Sequence, residues 1–532
     1  MQYNALWSEF STGAKKRLGI STEFAAPAKI NNLRCVVPDL YYQHSRAPAK
    51  YSDFSYTPVP VSFDDKARSA RFERFSLQQT AQVVTGQIAQ ALNEPGARPV
   101  ISDRVTYCCT RPEGSAVIKR YTSDDAKGRK GRSLYSGLHV CGNAWLCPVC
   151  SQLISEFRAD EARQAIAWAE KNHYTVELHT LTVRHGVNDS MQSLVKGMAE
   201  AWRWMTSHKT FKSIRDRVGY VGAIRALEVT HGSNGWHPHY HIMFFSCSGF
   251  ALDRIRLSEL WAQAVAKAGL PEPSIEYGYD VRNGSEAGTY LSKFGDDSKL
   301  DGQPEKVLTS KGDIVTWDAV DELSKWHSKK GRGDQSLTPF DFLRKLRFAH
   351  ITGETKDVPY YKALWQEYAL ATRGRSRLQW SRGLKALVGV QAIDDSEVVE
   401  HLASNAVEVL SVIPEEYWVY VYSRGEYDHR SKLLDLAELQ GWGGVALFLF
   451  QRIDNRFPGE LGDADCMQFF QSMQSALVDY EANTNEASTA DWQKMMPVNS
   501  ESVNQSSQLY FEMIQGIPSS RSISLSPLSI AS

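Results

Sequence analysis

Tyr220-Val-Gly-Ala-Ile-Arg-Ala-Leu-Glu-Val-Thr-His-Gly-Ser-Asn-Gly-Trp-His-Pro-His-Tyr-His-Ile-Met-Phe-Phe245 is the stretch from which the fold of this 532-residue chain is read. Residues 220–230 and 236–245 have strand composition, and Gly232, Asn234 and Gly235 supply a turn between them, which predicts a hairpin. Working outward, residues 174–184 read as a strand. Residues 190–207 read as a helix, with Met191, Leu194, Val195, Met198 and Trp202 at helical spacing. After the hairpin come a helix over 252–268, a strand over 274–281, an Asn283-Gly284 turn and a last helix over 285–294. The order β-α-β-β-α-β-α is an α+β pattern: the ferredoxin-like split βαβ arrangement with one helix added.

The hairpin also carries the strongest chemical signal. His239 and His241 stand at i and i+2 on a strand, so both imidazoles project from one face, and His237 falls on that face too. Glu228 lies on the preceding strand, where its carboxylate would face the pair. Two neutral imidazoles and a carboxylate make an open site for a divalent ion. The plain alternatives are a hydrogen-bonded histidine cluster and a salt-bridged strand glutamate, with His231 as a spare ligand. In the last helix Glu286, Tyr290 and Lys293 share one face by their spacing of four and three. A tyrosine hydroxyl, ordinarily of pKa about 10, becomes a nucleophile if a metal and a nearby ammonium favour its ionisation; Glu286 suits a general base. The alternative is a buried tyrosine beside a surface Glu–Lys pair.

Cys141-Gly-Asn-Ala-Trp-Leu-Cys147-Pro-Val-Cys150 is the third signal. Three thiols at this spacing, with Cys108 or Cys109 as a fourth, fit a tetrahedral structural zinc site. A redox Cys-x-x-Cys and plain buried cysteines are the alternatives. Basic residues interleaved with aromatics come last: Arg203, Lys209 and Lys212 near Trp202, Trp204 and Phe211, then Arg373, Arg375 and Arg377 before Trp380. Arginine and lysine neutralise phosphates and aromatic rings stack on unpaired bases; solvated helix faces over core aromatics are the alternative.

Composition is globular, at 42% hydrophobic and 23% charged residues. The longest purely apolar run is 445–450, far short of the roughly 20 residues a membrane helix needs. Neither a bilayer span nor a secretory signal is expected, and eight cysteines in so long a chain fit a reducing cytosol. The net charge of −1 hides an asymmetry: residues 1–390 are net basic and 391–532 carry −14. A basic body of this kind accompanies nucleic-acid binding. The expected organisation is a poorly defined 1–100; a zinc-binding module and linking helix over 101–170; a catalytic domain over 171–296; a loop insertion and basic helical region over 297–390, a candidate for DNA binding; and an acidic 391–532 with a mobile tail.

Taken together these residues resemble the single-tyrosine rolling-circle plasmid replication initiators of the HUH endonuclease superfamily. The resemblance runs from about 104 to 295, through the cysteine block, Leu178-His-Thr-Leu-Thr-Val183, Leu227-Glu-Val-Thr-His-Gly232, His237-Pro-His-Tyr-His241 and Tyr290-Leu-Ser-Lys293. It continues weakly in Trp365-Gln-Glu-Tyr368 and Leu378-Gln-Trp-Ser-Arg-Gly-Leu384, and leaves 1–100 and 400–532 uncovered. It implies an HUH catalytic domain, with an N-terminal zinc module and a helical or mixed C-terminal extension, that binds the plasmid double-strand origin and nicks one strand. Tyr290 would become linked to the 5′ end and free a 3′-OH, and Glu286 would support hydrolysis at termination. His239 and His241, with Glu228 at a somewhat longer spacing than usual, would hold Mg²⁺ or Mn²⁺. The family's Arg-x-x-x-Cys, here Arg104 to Cys108, points to Cys108 as the fourth zinc ligand. A single tyrosine in the Tyr-x-x-Lys motif departs from two-tyrosine initiators. With no phosphate-binding Gly-x-x-x-x-Gly-Lys loop in the chain, unwinding would fall to a host helicase, with a single-strand binding protein, in the bacterial cytoplasm.

Overall fold

The computed structural model describes residues 63–93, 99–101, 103–122, 132–247, 252–282, 306–308, 314–316, 336–406, 408–423, 427–457 and 461–485. Glu286, Tyr290 and Lys293, the helix expected over 285–294 and most of the loop insertion expected over 297–340 lie outside the described residues. The chain divides into two compact units, Glu73–Cys109 with His139–Ser404, and Met1–Phe72 with Thr110–Leu138 and Asn405–Ser532.

In the first unit helix α1, Phe63–Leu92, contributes its residues from Glu73 onward. Helix α2 spans Pro148–Lys171, strand β3 Tyr174–Thr182 and helix α3 Met191–Ser207. Helix α4, Lys209–Arg217, follows; strands β4, Gly222–Gly232, and β5, Gly235–Cys247, form the expected hairpin. Helix α5 is Arg254–Lys267 and strand β6 Tyr279–Arg282. Helices α6, Pro339–Thr352, and α7, Val358–Thr372, lead to edge strand β7, Leu378–Trp380, and helix α8, Asp395–Asn405, closes the segment. (Strands β1 and β2 belong to the other unit.) The sheet order is β7-β4-β5-β3-β6 and every pairing is antiparallel.

Edge strand β7 falls in a stretch expected to be helical, and helix α4 and the strand expected over 274–281 also differ from the sequence reading. Helix α4 was not expected; its Lys, Arg and Asp content hides the two residues it buries, Phe211 and Ile214. The strand expected over 274–281 begins as the helical turn Ile275–Gly278, because the Ser274 hydroxyl accepts from the Tyr277 amide and caps it, leaving only Tyr279–Arg282 extended.

One core explains where the site sits. Ala159, Ala162, Ala165, Ile166 and Ala169 form a stripe on α2 that packs on Val176, Leu178, Ile224, Ala226, Met243 and Phe245. Alanines recurring every three or four residues let the helix lie close on the sheet. Two residues further along the same strand faces come Thr180, Glu228 and His241. Polar chemistry therefore occupies the sheet face just beyond the alanine-packed core.

In the second unit strands β1, Pro112–Arg120, and β2, Ser133–Leu138, pair with β8, Glu408–Pro414, in the order β8-β1-β2. Helices α9, Arg430–Arg456, and α10, Asp463–Asn485, contact β8. The expected blocks 101–170 and 391–532 are thus both crossed by strand pairing: residues between Cys108 and Cys141 join a sheet with the C-terminal region. Arg71 ties α1 to α9 in this unit, bonding Asp435 at 2.6 Å and Glu438 at 2.5 Å. Helix α9 has the length and apolarity of a membrane span by composition alone. Gly441, at φ 63° and ψ −156°, breaks it into two pieces, and Leu433, Leu434, Val445, Leu449 and Phe450 are buried within the unit.

Candidate metal centre

Register places Glu228 directly across from His239. Because His239 and His241 alternate onto one face, a single carboxylate oxygen meets both: Glu228 Oε2 is 3.3 Å from His239 Nε2 and 3.1 Å from His241 Nε2. The three ligand atoms lie within 4.8 Å of one another. His241 and Glu228 are buried and His239 nearly so. A buried carboxylate flanked by two imidazole nitrogens is a donor set suited to a divalent cation. Thr180 on β3 completes the floor, its hydroxyl 3.2 Å from His241 Nδ1.

Local sequence explains the hairpin's shape. Gly235 turns at φ 83°, and a Cβ there would stand 2.8 Å from the Gly186 carbonyl oxygen. Pro238 lies beyond the last β3–β5 pair, Thr182 with His239, so its missing N–H costs no bond on that side. His237 does share the face, but it turns to His185, whose Nε2 lies 2.7 Å from His237 Nδ1; His185 Nδ1 in turn faces the Asn234 carbonyl at 3.0 Å. Burial, with His239 and His185 beside it, pushes His237 down to about 3, so it stays neutral. His231 packs edge-on against Trp236. Trp236 donates to Glu367 Oε2 at 2.8 Å, while Glu367 Oε1 accepts from the Met191 amide at 2.7 Å, pinning the start of the histidine strand to α3 and α7.

Cys108, Cys141, Cys147 and Cys150 come together, all buried, with sulfurs within 4.8 Å of one another. The closest pairs are Cys108–Cys150 at 3.5 Å, Cys141–Cys150 at 3.6 Å and Cys108–Cys147 at 3.7 Å. Four sulfurs about 2.3 Å from a central zinc would be roughly 3.8 Å apart, so the cluster has the size of a tetrahedral zinc site. Burial raises the Cys141 thiol above its ordinary value, while Cys147, buried too but hydrogen-bonded by Cys108, Cys141 and Cys150, is held well below its own. Amides of Cys141 and Asn143 point at Cys108 and Cys141 sulfurs, and Gln78 Nε2 donates to Cys147 Sγ at 3.2 Å. Cys109 is not among the four, although its sulfur lies 3.7 Å from that of Cys108; its φ of 56° turns the backbone after Cys108.

The basic residues fall into two groups. Arg203, Lys209, Lys212 and Arg373 are exposed, and Arg375 is partly covered, its Nε donating to the Ala371 carbonyl at 2.9 Å. Arg377 corrects the sequence reading: it is 5% exposed, with its guanidinium 4.0 Å from the Trp145 ring centroid, and so offers no open surface charge to a phosphate. Phe211 is likewise core rather than a base-stacking ring. Tyr279 is buried with its hydroxyl 2.9 Å from His179 Nδ1, and burial raises its pKa well above the ordinary value. Sequence reasoning missed Thr180, Glu367 and Gln78. Only Thr180 had a signal: alternation within Leu178–Val183 puts it on the face of the histidines.

A family model described as a replication protein matches residues 135–276, a span holding Cys141, Cys147, Cys150, Glu228 and both histidines. The chain is 28% identical over 331 residues to the protein "Protein rep" of Streptomyces lividans, covering 51% of this chain and 68% of that one. It is also 32% identical over 142 residues to a Streptomyces cyanogenus protein named "Neomycin resistance protein", covering 22% of this chain and 32% of that one. No solved structure matches. The replication-protein match lies over the hairpin and the cysteine loop, and together with the Streptomyces lividans relative it supports a rolling-circle plasmid replication initiator.

Proposed function

We propose that this chain is a rolling-circle plasmid replication initiator that binds the double-strand origin and nicks one strand as an HUH endonuclease, through attack by Tyr290. The observation that carries the reading is the meeting of Glu228 Oε2 with His239 and His241 on facing strands. The strand order β6-β3-β5-β4, with α3 and α5 as crossovers, supports a ferredoxin-like split βαβ catalytic domain. Glu228, His239 and His241 would hold Mg²⁺ or Mn²⁺, which when bound offsets charge on the scissile phosphate. Thr180 and the β4–β5 register keep the two imidazoles and the carboxylate converging on one point.

In the cleavage step the Tyr290 oxygen forms a bond to phosphorus and the bond from phosphorus to the 3′-oxygen breaks. The proton lost by the phenol is balanced by the one the leaving 3′-oxygen gains. The DNA keeps a 5′-phosphotyrosyl link and a free 3′-OH from which a polymerase extends. Lys293, three residues after Tyr290 in the sequence, would favour the phenolate, and Glu286 would take a proton from water when the link is hydrolysed at termination. The cysteine cluster would hold zinc as a structural element. Strand opening is assigned to a host helicase, with single-strand binding protein on the displaced DNA, in the bacterial cytoplasm.

The test is incubation of the full chain with single-stranded origin DNA and Mn²⁺, followed by a denaturing gel. A DNA adduct that survives SDS in the wild type and is absent in Tyr290→Phe is the expected result. Origin binding without an adduct in either protein would replace this reading with that of a non-catalytic, zinc-containing replication regulator.

A further inference from the structure

The cysteine cluster and the histidine–glutamate cluster are joined by contacts that neither needs for its own ligands. Trp145 stands two residues before Cys147. Its indole Nε1 donates to the Arg375 carbonyl at 2.7 Å, and its own carbonyl accepts from the Tyr368 hydroxyl at 3.2 Å. The Arg377 guanidinium lies over the Trp145 ring and reaches the Tyr368 hydroxyl at 3.4 Å. From there the contacts divide toward the two ligand strands. On one side the Arg377 carbonyl accepts from the amide of Leu227, the residue before Glu228, at 2.9 Å, and Arg377, Tyr368 and Glu228 line one small cavity. On the other side the Tyr368 ring stacks on Trp236, centroids 6.5 Å apart, and Trp236 opens the run His237 to His241.

We propose that Trp145, Tyr368 and Arg377 are positioning residues through which filling of the cysteine site sets the affinity of Glu228, His239 and His241 for a divalent cation. The inference rests on the reading of those three residues as a cation site and adds its regulation by the second cluster.

The physical reason lies in how the loop is held. Four buried sulfurs, the closest pairs 3.5 to 3.7 Å apart, keep one arrangement when a cation joins them. Without it, protonated thiols lose that common partner and the loop between Cys141 and Cys147 is no longer fixed at both ends. Trp145 moves with it, and Trp145 is the flat surface against which a buried charge is packed. Loss of that packing surface is costly for a buried guanidinium, so Arg377 would shift. That shift takes with it the segment bonded to the residue before Glu228. The linkage is reciprocal: a cation in the histidine site would also strengthen retention of zinc by the cysteines.

The experiment measures zinc content by mass spectrometry and Mn²⁺ affinity by electron paramagnetic resonance on the full chain, with circular dichroism to monitor folding. It compares the wild type, the wild type stripped with a zinc-selective chelator, Trp145→Phe, Tyr368→Phe and Glu228→Gln. Trp145→Phe keeps an aromatic face and loses the Nε1 donor; Tyr368→Phe keeps the stack on Trp236 and loses the hydroxyl. Stripped protein and both aromatic variants are expected to bind Mn²⁺ about tenfold more weakly while remaining folded, the size typical of lost support around a metal ligand. Loss of zinc from Trp145→Phe in parallel with weaker Mn²⁺ binding supports the same linkage. The proposal is overturned if folded, stripped protein and both variants bind Mn²⁺ as the wild type does while Glu228→Gln does not. Failure of the underlying reading looks different: the wild type takes up no Mn²⁺, or Glu228→Gln binds it unchanged, and the proposal then falls with it.

Discussion

Thr180 Oγ1 lies 3.2 Å from His241 Nδ1, while His241 Nε2 is 3.1 Å from Glu228. If the hydroxyl accepts from Nδ1–H, the lone pair sits on Nε2, aimed where Glu228 and His239 converge. A second partner that fixes the tautomer of a ligating histidine commonly contributes 10- to 100-fold in metal affinity. Thr180→Val keeps the shape and removes the acceptor, so Mn²⁺ binding should weaken by about tenfold. Thr180→Ser should restore it. Titration of Mn²⁺ by paramagnetic resonance checks both, and an unchanged valine variant would refute the tautomer assignment.

The cysteine loop supplies a second expectation. Gly142 follows Cys141 at φ 58°, and a Cβ there would stand 2.4 Å from the Ser396 Cα. Backbone cannot yield as a flexible side chain would, and the conformation itself disfavours any L side chain. Gly142→Ala should therefore lower the melting temperature and the zinc content together. Gly353, equally left-handed but with no atom within 4 Å of its Cβ position, serves as the control. Gly353→Ala should destabilise by about 1 kcal/mol from backbone strain and leave zinc content alone.

The legible parts of this fold are those whose period and partners are local in sequence. The β4–β5 hairpin was readable from its alternation and from the Gly232–Gly235 turn, and with it the pairing of Glu228 with the histidines. Helix α4 was not, because a nine-residue helix with two buried residues leaves almost no apolar stripe. The β8-β1-β2 sheet joins residues near 115 to residues near 413, and no local pattern encodes a partner about 300 residues away. The choice between Cys108 and Cys109 was open on spacing alone; the left-handed turn at Cys109 decides it in the structure, directing only Cys108 into the four-sulfur group. Arg377 misled for a related reason: in Arg373-Gly-Arg-Ser-Arg377 three identical side chains read as one basic patch. Burial against Trp145 separates the last of them.

Acid should destabilise the folded chain through histidines held neutral. Burial, followed by the Arg452 charge, lowers His429 to about 4, below the ordinary value of about 6.5. Between those values the unfolded chain binds a proton at this site that the folded chain does not. Stability from this residue is therefore fully present above about pH 6.5 and declines as pH falls toward 4. His429→Gln should flatten the fall in denaturation midpoint across that window, measured by urea unfolding at a series of pH values. A variant with the wild-type slope would show that His429 titrates normally in the folded protein.

The exposed basic residues of α3 and α4 and the buried Arg377 should separate in their response to salt. Lys209 and Lys212 on α4 face solvent, as does Arg203 on α3. If they contact DNA phosphates, each contact releases counterions and contributes about 0.9 to the slope of log affinity against log salt for duplex DNA. Lys209→Gln with Lys212→Gln should then weaken origin binding without changing sequence preference and reduce the slope by about 2. Arg377→Met should leave that slope unchanged, because its guanidinium is packed on Trp145 rather than open to the backbone of DNA. Fluorescence anisotropy across a salt series distinguishes the two outcomes. A lower slope in Arg377→Met, with the lysine pair silent, would move the DNA interface from the α3–α4 surface to the segment before β7.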